Sequence, residues 1–523
     1  MKKALIWLHK WLGVALALLF LMWFVSGLVL YYVPFPALTQ AEKIAGATPL
    51  RVTDGCCLSA QQAAAQAGIK IGDARLGMLG AQPVWRVLTD GPQRRWLALD
   101  ARSGAPVPAL SQDGAMALAE RFSGRRAVHT EALERDQWTV AQGLNPYRPL
   151  LRVELDGDDG LELYVSPAAA DVVAETRRAE RAWNWVGAVP HWIYFTELRR
   201  WPDVWHQVIV WLSLPGVLLA LTGIALGVWQ LFLNRTRWIP YRVFWMRWHH
   251  ILGLAAGVVT FTWILSGLFS MNPFAVFSPR GATQAELKQW RAPQASASAS
   301  DAAAPALLPV ADALAAALAA PVPLQASEVE LLPFAGQTWY RLRGTLAGSA
   351  ANELKQEKAQ GQAQGQALVR ADLPPAGAGE APRALAELPE AAVRAALLGL
   401  RGSDAAGTPQ LVRQHAYDDV YYARTRDANT RYARPLPVWR AQWPDGVAVY
   451  ADPASARIVL RADASTRWQR VLYNGLHSFD FAPLMARPWL RDSLVIALSL
   501  LGIAMCATAC VVAWRVLMPK RRP

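Results

Sequence analysis

Four runs of uninterrupted apolar sequence set the terms for this chain: Trp11–Val33, Val208–Leu233, Ile251–Met271 and Ser493–Trp514 contain no Asp, Glu, Lys or Arg. About 20 such residues, each rising 1.5 Å in a helix, cross the hydrocarbon core of a bilayer. Each run therefore predicts a transmembrane helix, and the lipid bilayer is the first expected partner. Composition agrees, since 53% of the 523 residues are hydrophobic and only 18% are charged, too apolar for an all-soluble or disordered chain. The net charge of +13 raises nucleic-acid binding. Many of the basic residues instead flank the apolar runs, so no nucleic-acid partner is expected. The first run is longer than a signal-peptide core and lacks a convincing small-residue cleavage site, so it reads as a retained anchor.

Lys and Arg in short flanks set orientation. Lys2, Lys3 and Lys10 precede the first span, Arg235, Arg237, Arg242 and Arg247 fill the loop between spans two and three, and Arg515, Lys520, Arg521 and Arg522 follow the fourth. Both termini and that loop are expected to be cytoplasmic. The chain then divides into spans at 5–33, 204–233, 248–271 and 489–517, a cytoplasmic loop at 234–247, a tail at 518–523, and two outer domains at 34–203 and 272–488.

The outer domains read as α+β. Residues 81–107, 150–176 and 438–463 each alternate apolar and polar positions around turn signals, which predicts strand, turn, strand. Ala60–Ala67 and Ala311–Ala320 have helical composition, whereas 292–305 and 345–382, rich in Ala, Gln, Gly, Ser and Pro, read as flexible insertions. Cys56 and Cys57 are adjacent, and Cys506 and Cys510 sit at helical spacing in the fourth span; all four read as small buried residues or free thiols.

The membrane part repeats. At an offset of 240, His9–Leu28 matches His249–Leu268 at eight of twenty positions, including His9 with His249, Gly13 with Gly253 and Ser26-Gly27 with Ser266-Gly267. At an offset of 286, His191–Thr222 matches His477–Thr508 at nine of thirty-two, including His191 with His477, Phe195 with Phe481 and Pro202 with Pro488. A parallel duplication follows: helix out, outer domain, helix back, twice.

This gives the histidines positions. His9 and His249 fall at equal depth near the cytoplasmic side, and His191 and His477 near the outer side. A six-coordinate haem iron leaves two axial sites, which facing neutral imidazoles fill. Gly13 and Gly253, four residues after their histidines, lie on the same helical face and leave room for a flat macrocycle. Two haems are therefore expected, on His9/His249 and on His191/His477. His206 competes as an outer ligand or proton-handling group, and His250 as a headgroup or haem-propionate contact. Trp23, Trp263, Phe20 and Phe261 fill the space between. His129 and His415 read as surface residues.

The stretches WLHKWLGVALALLFLMWFVSGLVL, RWHHILGL and YNGLHSFDFAPLMARPWLRDSLVIALSLLG resemble the PepSY-associated transmembrane family, and the hairpin ending ALDARSGAPV is similar to the close of a PepSY domain. The resemblance implies a bacterial inner-membrane protein whose outer domains are periplasmic and PepSY-like, with two b-type haems between four helices. It also implies an iron-regulated ferric-siderophore reductase that reduces Fe(III) to Fe(II) in a periplasmic chelate. Arg424, Arg431, Tyr421 and Tyr422 lie in an arginine- and aromatic-rich segment, 418–443, that reads as an amphipathic strand pair with solvated arginines or, alternatively, as a surface suited to an anionic or aromatic chelate. No G-x-G-x-x-G or Walker motif falls at a strand-to-helix junction, so a quinol or a separate cytoplasmic donor must supply electrons. The alternative is a membrane-anchored PepSY binding or regulatory protein without redox activity, which leaves the paired histidines without a task.

Overall fold

The computed structural model describes residues 2–53, 56–233, 239–292, 307–347, 364–372, 381–402, 407–424 and 432–518. Arg235, Arg237, Lys520, Arg521 and Arg522, used above for orientation, lie outside the described residues, as do Arg426 and Arg431.

Among the described residues, four long helices are apolar enough to cross a membrane: α1 (Lys2–Tyr32), α2 (Pro202–Leu233), α3 (Phe244–Ser270) and α4 (Pro488–Leu517). Pro202 and Pro488 each take the first helical position, where the missing N–H has no intrahelical partner to lose. α1 packs on α2 and α4, and α3 does the same, so α1 faces α3 across one diagonal. The bundle centre is filled by Leu16, Phe20, Phe24, Leu219, Ile264 and Cys506, with Trp23 and Trp263 packed against them. Gly216, directly after Pro215 inside α2, makes room for this plug: a Cβ there would sit 3.2 Å from the Phe20 ring and 3.3 Å from Ile264. Phe24 likewise occupies the place of a side chain at Gly502 of α4.

The two extramembrane segments are built mainly from antiparallel strands. The first carries β1 (Ile71–Leu79), β2 (Gln82–Thr89), β3 (Trp96–Asp100), β4 (Ala127–Leu133), β5 (Leu150–Leu155), β6 (Glu162–Ser166) and β7 (Asp171–Thr176). The second carries β8 (Leu324–Phe334), β9 (Gln337–Leu346), β10 (Gln364–Arg370), β11 (Ala384–Leu385), β12 (Gln410–Gln414), β13 (Val438–Gln442), β14 (Ala448–Asp452) and β15 (Arg457–Ala462). β4–β7 and β12–β15 form separate four-stranded meanders. The remaining strands join across the segments in one sheet of order β11-β10-β9-β8-β1-β2-β3. The seam is the pairing of β1 with β8, Arg75 opposite Glu330 and Leu76 opposite Val329. The two segments thus share a sheet and a core rather than standing as independent domains.

Charge reinforces the seam. Asp171 at the start of β7 meets Lys43 at 3.0 Å and Arg75 at 3.3 Å, while Glu328 of β8 meets Arg343, with Arg75 at 3.9 Å and Lys43 at 4.0 Å. Burial alone pushes both carboxyls up, but the surrounding cations outweigh it: Asp171 is held below the usual carboxylate range and Glu328 is pushed down to about 2.

Two expectations need correction. Part of the supposed insertion at 345–382 is strand β10, which pairs with β9 from Gln364 opposite Thr345 to Arg370 opposite Trp339. Alternation in QGQALVR was masked by the low-complexity residues before it. Cys56 and Cys57 are joined to each other in a disulfide rather than free. Cys506 and Cys510 are free thiols within α4.

Candidate functional site

Four of the eight histidines meet in two pairs within the bundle. His9 of α1 faces His249 of α3 at the end away from the sheets, with ring centres 6.4 Å apart. His191 and His477 meet at the sheet end, 6.1 Å apart. We refer to these as the lower and upper pairs.

The upper histidines reach the bundle on re-entrant turns. After β7 the chain enters helix Arg178–Val186, bends at Gly187 and ends in the short helix Ala188–His191. Gly187 is needed there because a Cβ would sit 3.0 Å from Val29 on α1. After β15 the helix Ala464–Gln469, a π-turn at Arg470–Gly475 and the short helix Leu476–Ser478 bring His477 against α3. Two residues beyond each histidine the backbone turns left-handed, at Ile193 (φ 50°) and Phe479 (φ 54°). A positive φ is costly for any non-glycine residue and worst for a β-branched one, so the surrounding packing must enforce this turn in both halves.

All four imidazoles are held in the same way. His191 Nδ1 lies 3.2 Å from the Trp23 carbonyl and 3.3 Å from Ser26 Oγ. His477 Nδ1 lies 3.3 Å from the Trp263 carbonyl and 3.1 Å from Ser266 Oγ. His9 Nδ1 lies 3.3 Å from the Leu219 carbonyl and 3.2 Å from Thr222 Oγ1. His249 Nδ1 lies 3.4 Å from Thr508 Oγ1, beside the Met505 carbonyl. In every case the hydroxyl donates to the same carbonyl three residues earlier in its helix. A carbonyl can only accept, so each Nδ1 carries the proton and each Nε2 keeps a free lone pair. This arrangement fixes ring orientation and tautomer as a metal-bound imidazole requires.

The bonds also link helices in a defined way. His9 is held by α2 and His191 by α1, while His249 is held by α4 and His477 by α3. Each half of the chain therefore orients its own two imidazoles, and each pair is completed across halves. Glycines leave space for the rings: a Cβ on Gly223 or Gly27 would come within 2.9 Å of His9 or His191 Cε1, and one on Gly267 within 3.5 Å of His477 Cε1.

The pairs fit a haem by three observations. Imidazoles on opposite sides of one metal, each bound through Nε2 at roughly 2 Å, place their ring centres about 6 Å apart, as both pairs do. The face of α3 one turn beyond His249 is open, since a Cβ on Gly253 would meet nothing within 4 Å, and one on Gly13 only Leu219 at 3.9 Å. The Trp23 and Trp263 indole N–H groups are buried without a hydrogen-bond partner among the described residues.

The other sequence candidates fall elsewhere. His206 joins neither pair; its Nε2 is 2.8 Å from the Met271 carbonyl, bonding the start of α2 to the end of α3. His250 joins neither pair; it packs edge-on against Tyr241 at 5.4 Å, with its Nε2 unpartnered among the described residues. His129 and His415 are exposed. Tyr421 does not face a substrate: it is fully buried, stacks on Tyr450 at 4.8 Å and donates to the Pro435 carbonyl. Burial pushes its hydroxyl pKa up. Tyr422 and Arg424 turn toward the loop after His477, both bonding Asp480 at 3.0 Å. The residues missed from sequence are Ser26, Thr222, Ser266, Thr508 and the glycines at 27, 223 and 267. Their signal was present, because the aligned repeats carry Ser-Gly twice and end on Thr222 and Thr508.

Four apolar helices capped by two joined α+β segments, with paired, partly buried imidazoles between the helices, define a polytopic membrane protein. The family described as the PepSY-associated TM region matches residues 6–515, and the chain belongs to it. No curated protein matches the chain.

Proposed function

We propose that this protein carries electrons through a bacterial inner membrane on two b-type haems, one held by His9 and His249 and one by His191 and His477, and reduces a ferric chelate, a siderophore complex, on the periplasmic side. The observation that carries this reading is the fourfold repetition of one bracket, a carbonyl and a hydroxyl beside Nδ1, on imidazoles whose rings meet in two pairs. Structural histidines have no need of a common tautomer. When bound, a six-coordinate haem supplies one-electron exchange between its ferric and ferrous states.

The chain's own residues do the rest. The brackets hold each imidazole neutral and aimed, so little reorganisation accompanies a change of charge. Trp23 follows His9 by fourteen residues on α1, which sets the two levels roughly 20 Å apart along the helix axis. Phe20, Phe24, Leu219 and Ile264 fill that interval and exclude water from it. Both termini lie in the cytoplasm in this reading, the lower pair is the entry side, and a quinol or cytoplasmic reductant is the donor. The two halves descend from a duplicated helix, outer segment, helix unit.

The test is a proteoliposome with a reductant trapped inside and a membrane-impermeant ferric siderophore with an iron(II) indicator outside. The haem-loaded protein is expected to develop outside iron(II), and His249→Ala is expected not to. Equal rates with protein-free vesicles would refute the proposal.

A further inference from the structure

The surroundings of the upper pair are not the same in the two halves. Asp480, three residues after His477, is fully buried, and three guanidiniums converge on it. Arg491 Nη2 donates to Oδ1 at 2.6 Å, Arg424 Nε and the Tyr422 hydroxyl each donate to Oδ2 at 3.0 Å, and Arg470 donates to the Asp480 backbone carbonyl. The same arginines grip Ser478, the neighbour of His477: Arg491 Nε bonds its carbonyl and Arg424 Nη2 its hydroxyl, both at 3.1 Å. Arg470 also lies 4.1 Å from the Tyr422 ring centre. Residues on both sides of the left-handed Phe479 are thereby tied to α4 and to the second extramembrane segment. In the first half the position 286 residues earlier is Tyr194, whose carbonyl accepts from the neutral Gln137 amide at 2.7 Å.

Three guanidiniums gather on Asp480, Arg491 and Arg424 on its carboxylate and Arg470 on its backbone carbonyl. The next acidic group on α4, Asp492, accepts from the Tyr31 hydroxyl at 2.6 Å and keeps its own negative charge. Three cations against two carboxylates still leave surplus positive charge on the residues flanking His477. A ferric haem carries one positive charge more than a ferrous one, so a nearby fixed cation favours the reduced form.

We propose that Asp480 is a positioning residue, holding the loop that presents His477, and that the arginines gathered on it raise the reduction potential of the haem bound by His191 and His477. This rests on the haem reading above. One unit charge removed at roughly 10 Å through an effective dielectric of about 20 changes the oxidised-to-reduced ratio about tenfold, which is about 59 mV for a one-electron couple.

The experiment is an optical redox titration of the purified haem-loaded chain, with electron paramagnetic resonance to count low-spin centres. Arg424→Gln, whose side chain is 36% exposed and so tolerant of change, is expected to lower the upper haem potential by about that amount and leave the lower haem unmoved. Asp480→Asn is expected to raise the upper potential, or to convert the upper haem alone to high spin if the loop gives way. Unmoved potentials in a haem-loaded chain would overturn this inference alone. So would shifts of the same sign in both variants without loss of low-spin signal, or equal shifts at both haems. A wild-type chain that binds no haem would overturn the haem reading as well.

Discussion

Gly223→Ala places one methyl group against one imidazole. The new Cβ would stand 2.9 Å from His9 Cε1 and 3.5 Å from Nδ1, whereas non-bonded carbons settle at about 3.5–4.0 Å. The ring must therefore retreat by roughly 0.6 Å or more. Doing so forces an off-rotamer χ angle, costing about 0.5–1.5 kcal/mol, and stretches its bonds to Thr222 and Leu219, of which one is worth about 1 kcal/mol. Alanine returns about 0.5–1 kcal/mol to the helix, but with or without haem, so it offsets fold stability and not ligation. The His249 site shows that such a shift is survivable: Ala509 follows Thr508 where glycine follows the other three hydroxyls, and the Thr508 hydroxyl lies farthest from its imidazole, at 3.4 Å. The expected result is an unchanged thermal midpoint with the lower haem's affinity reduced about tenfold or more, corresponding to a loss of about 1.4–2.5 kcal/mol. Haem titration into apoprotein, read by the low-spin spectrum, measures it. Full affinity at both sites in Gly223→Ala would refute the claim that His9 is an aimed ligand.

His249→Ala should remove the lower haem and spare the upper, leaving one low-spin centre per chain; retention of both would show that the lower pair is not a ligand set. Ser26→Ala leaves the Trp23 carbonyl as an acceptor for His191 Nδ1, so the upper haem should persist with affinity weakened by about 0.5–1.5 kcal/mol; loss of haem at both sites would contradict the bracket. Acid should loosen the seam between the extramembrane segments. Glu328 falls from 4.5 to about 2 on folding and Asp171 is also lowered, so their stabilisation is full above the unfolded values and is lost as pH falls from about 4.5 toward 2. Glu328→Gln should flatten that dependence in tryptophan fluorescence, and an unchanged acid profile would count against the seam.

The membrane helices were legible because a bilayer allows little else: uncharged runs of sufficient length, with charged residues or Pro within a few positions of each end, specify themselves. The meanders at 150–176 and 438–463 were equally readable from alternation and turn residues. What sequence did not reveal was pairing between distant segments. β1 and β8 are separated by more than two hundred residues, and nothing local in either states that Arg75 will lie opposite Glu330. The histidine positions emerged from the repeats, but the hydroxyls that bracket them did not, since Ser and Thr in apolar helices ordinarily bond their own carbonyls. They do so here too, and only the fold brings an imidazole to share the acceptor. Tyr421 was misread for the opposite reason. Its arginine-rich neighbours suggested a surface, yet its place beside Tyr450 put it in the core.

The most direct test of the paired-imidazole account is a haem count on the purified, folded, full-length protein together with its reduced-minus-oxidised spectrum. Two b-type haems per chain, both low-spin with two histidine ligands, are the expected result. A monodisperse, fully folded and colourless protein that takes up no added haem would contradict it.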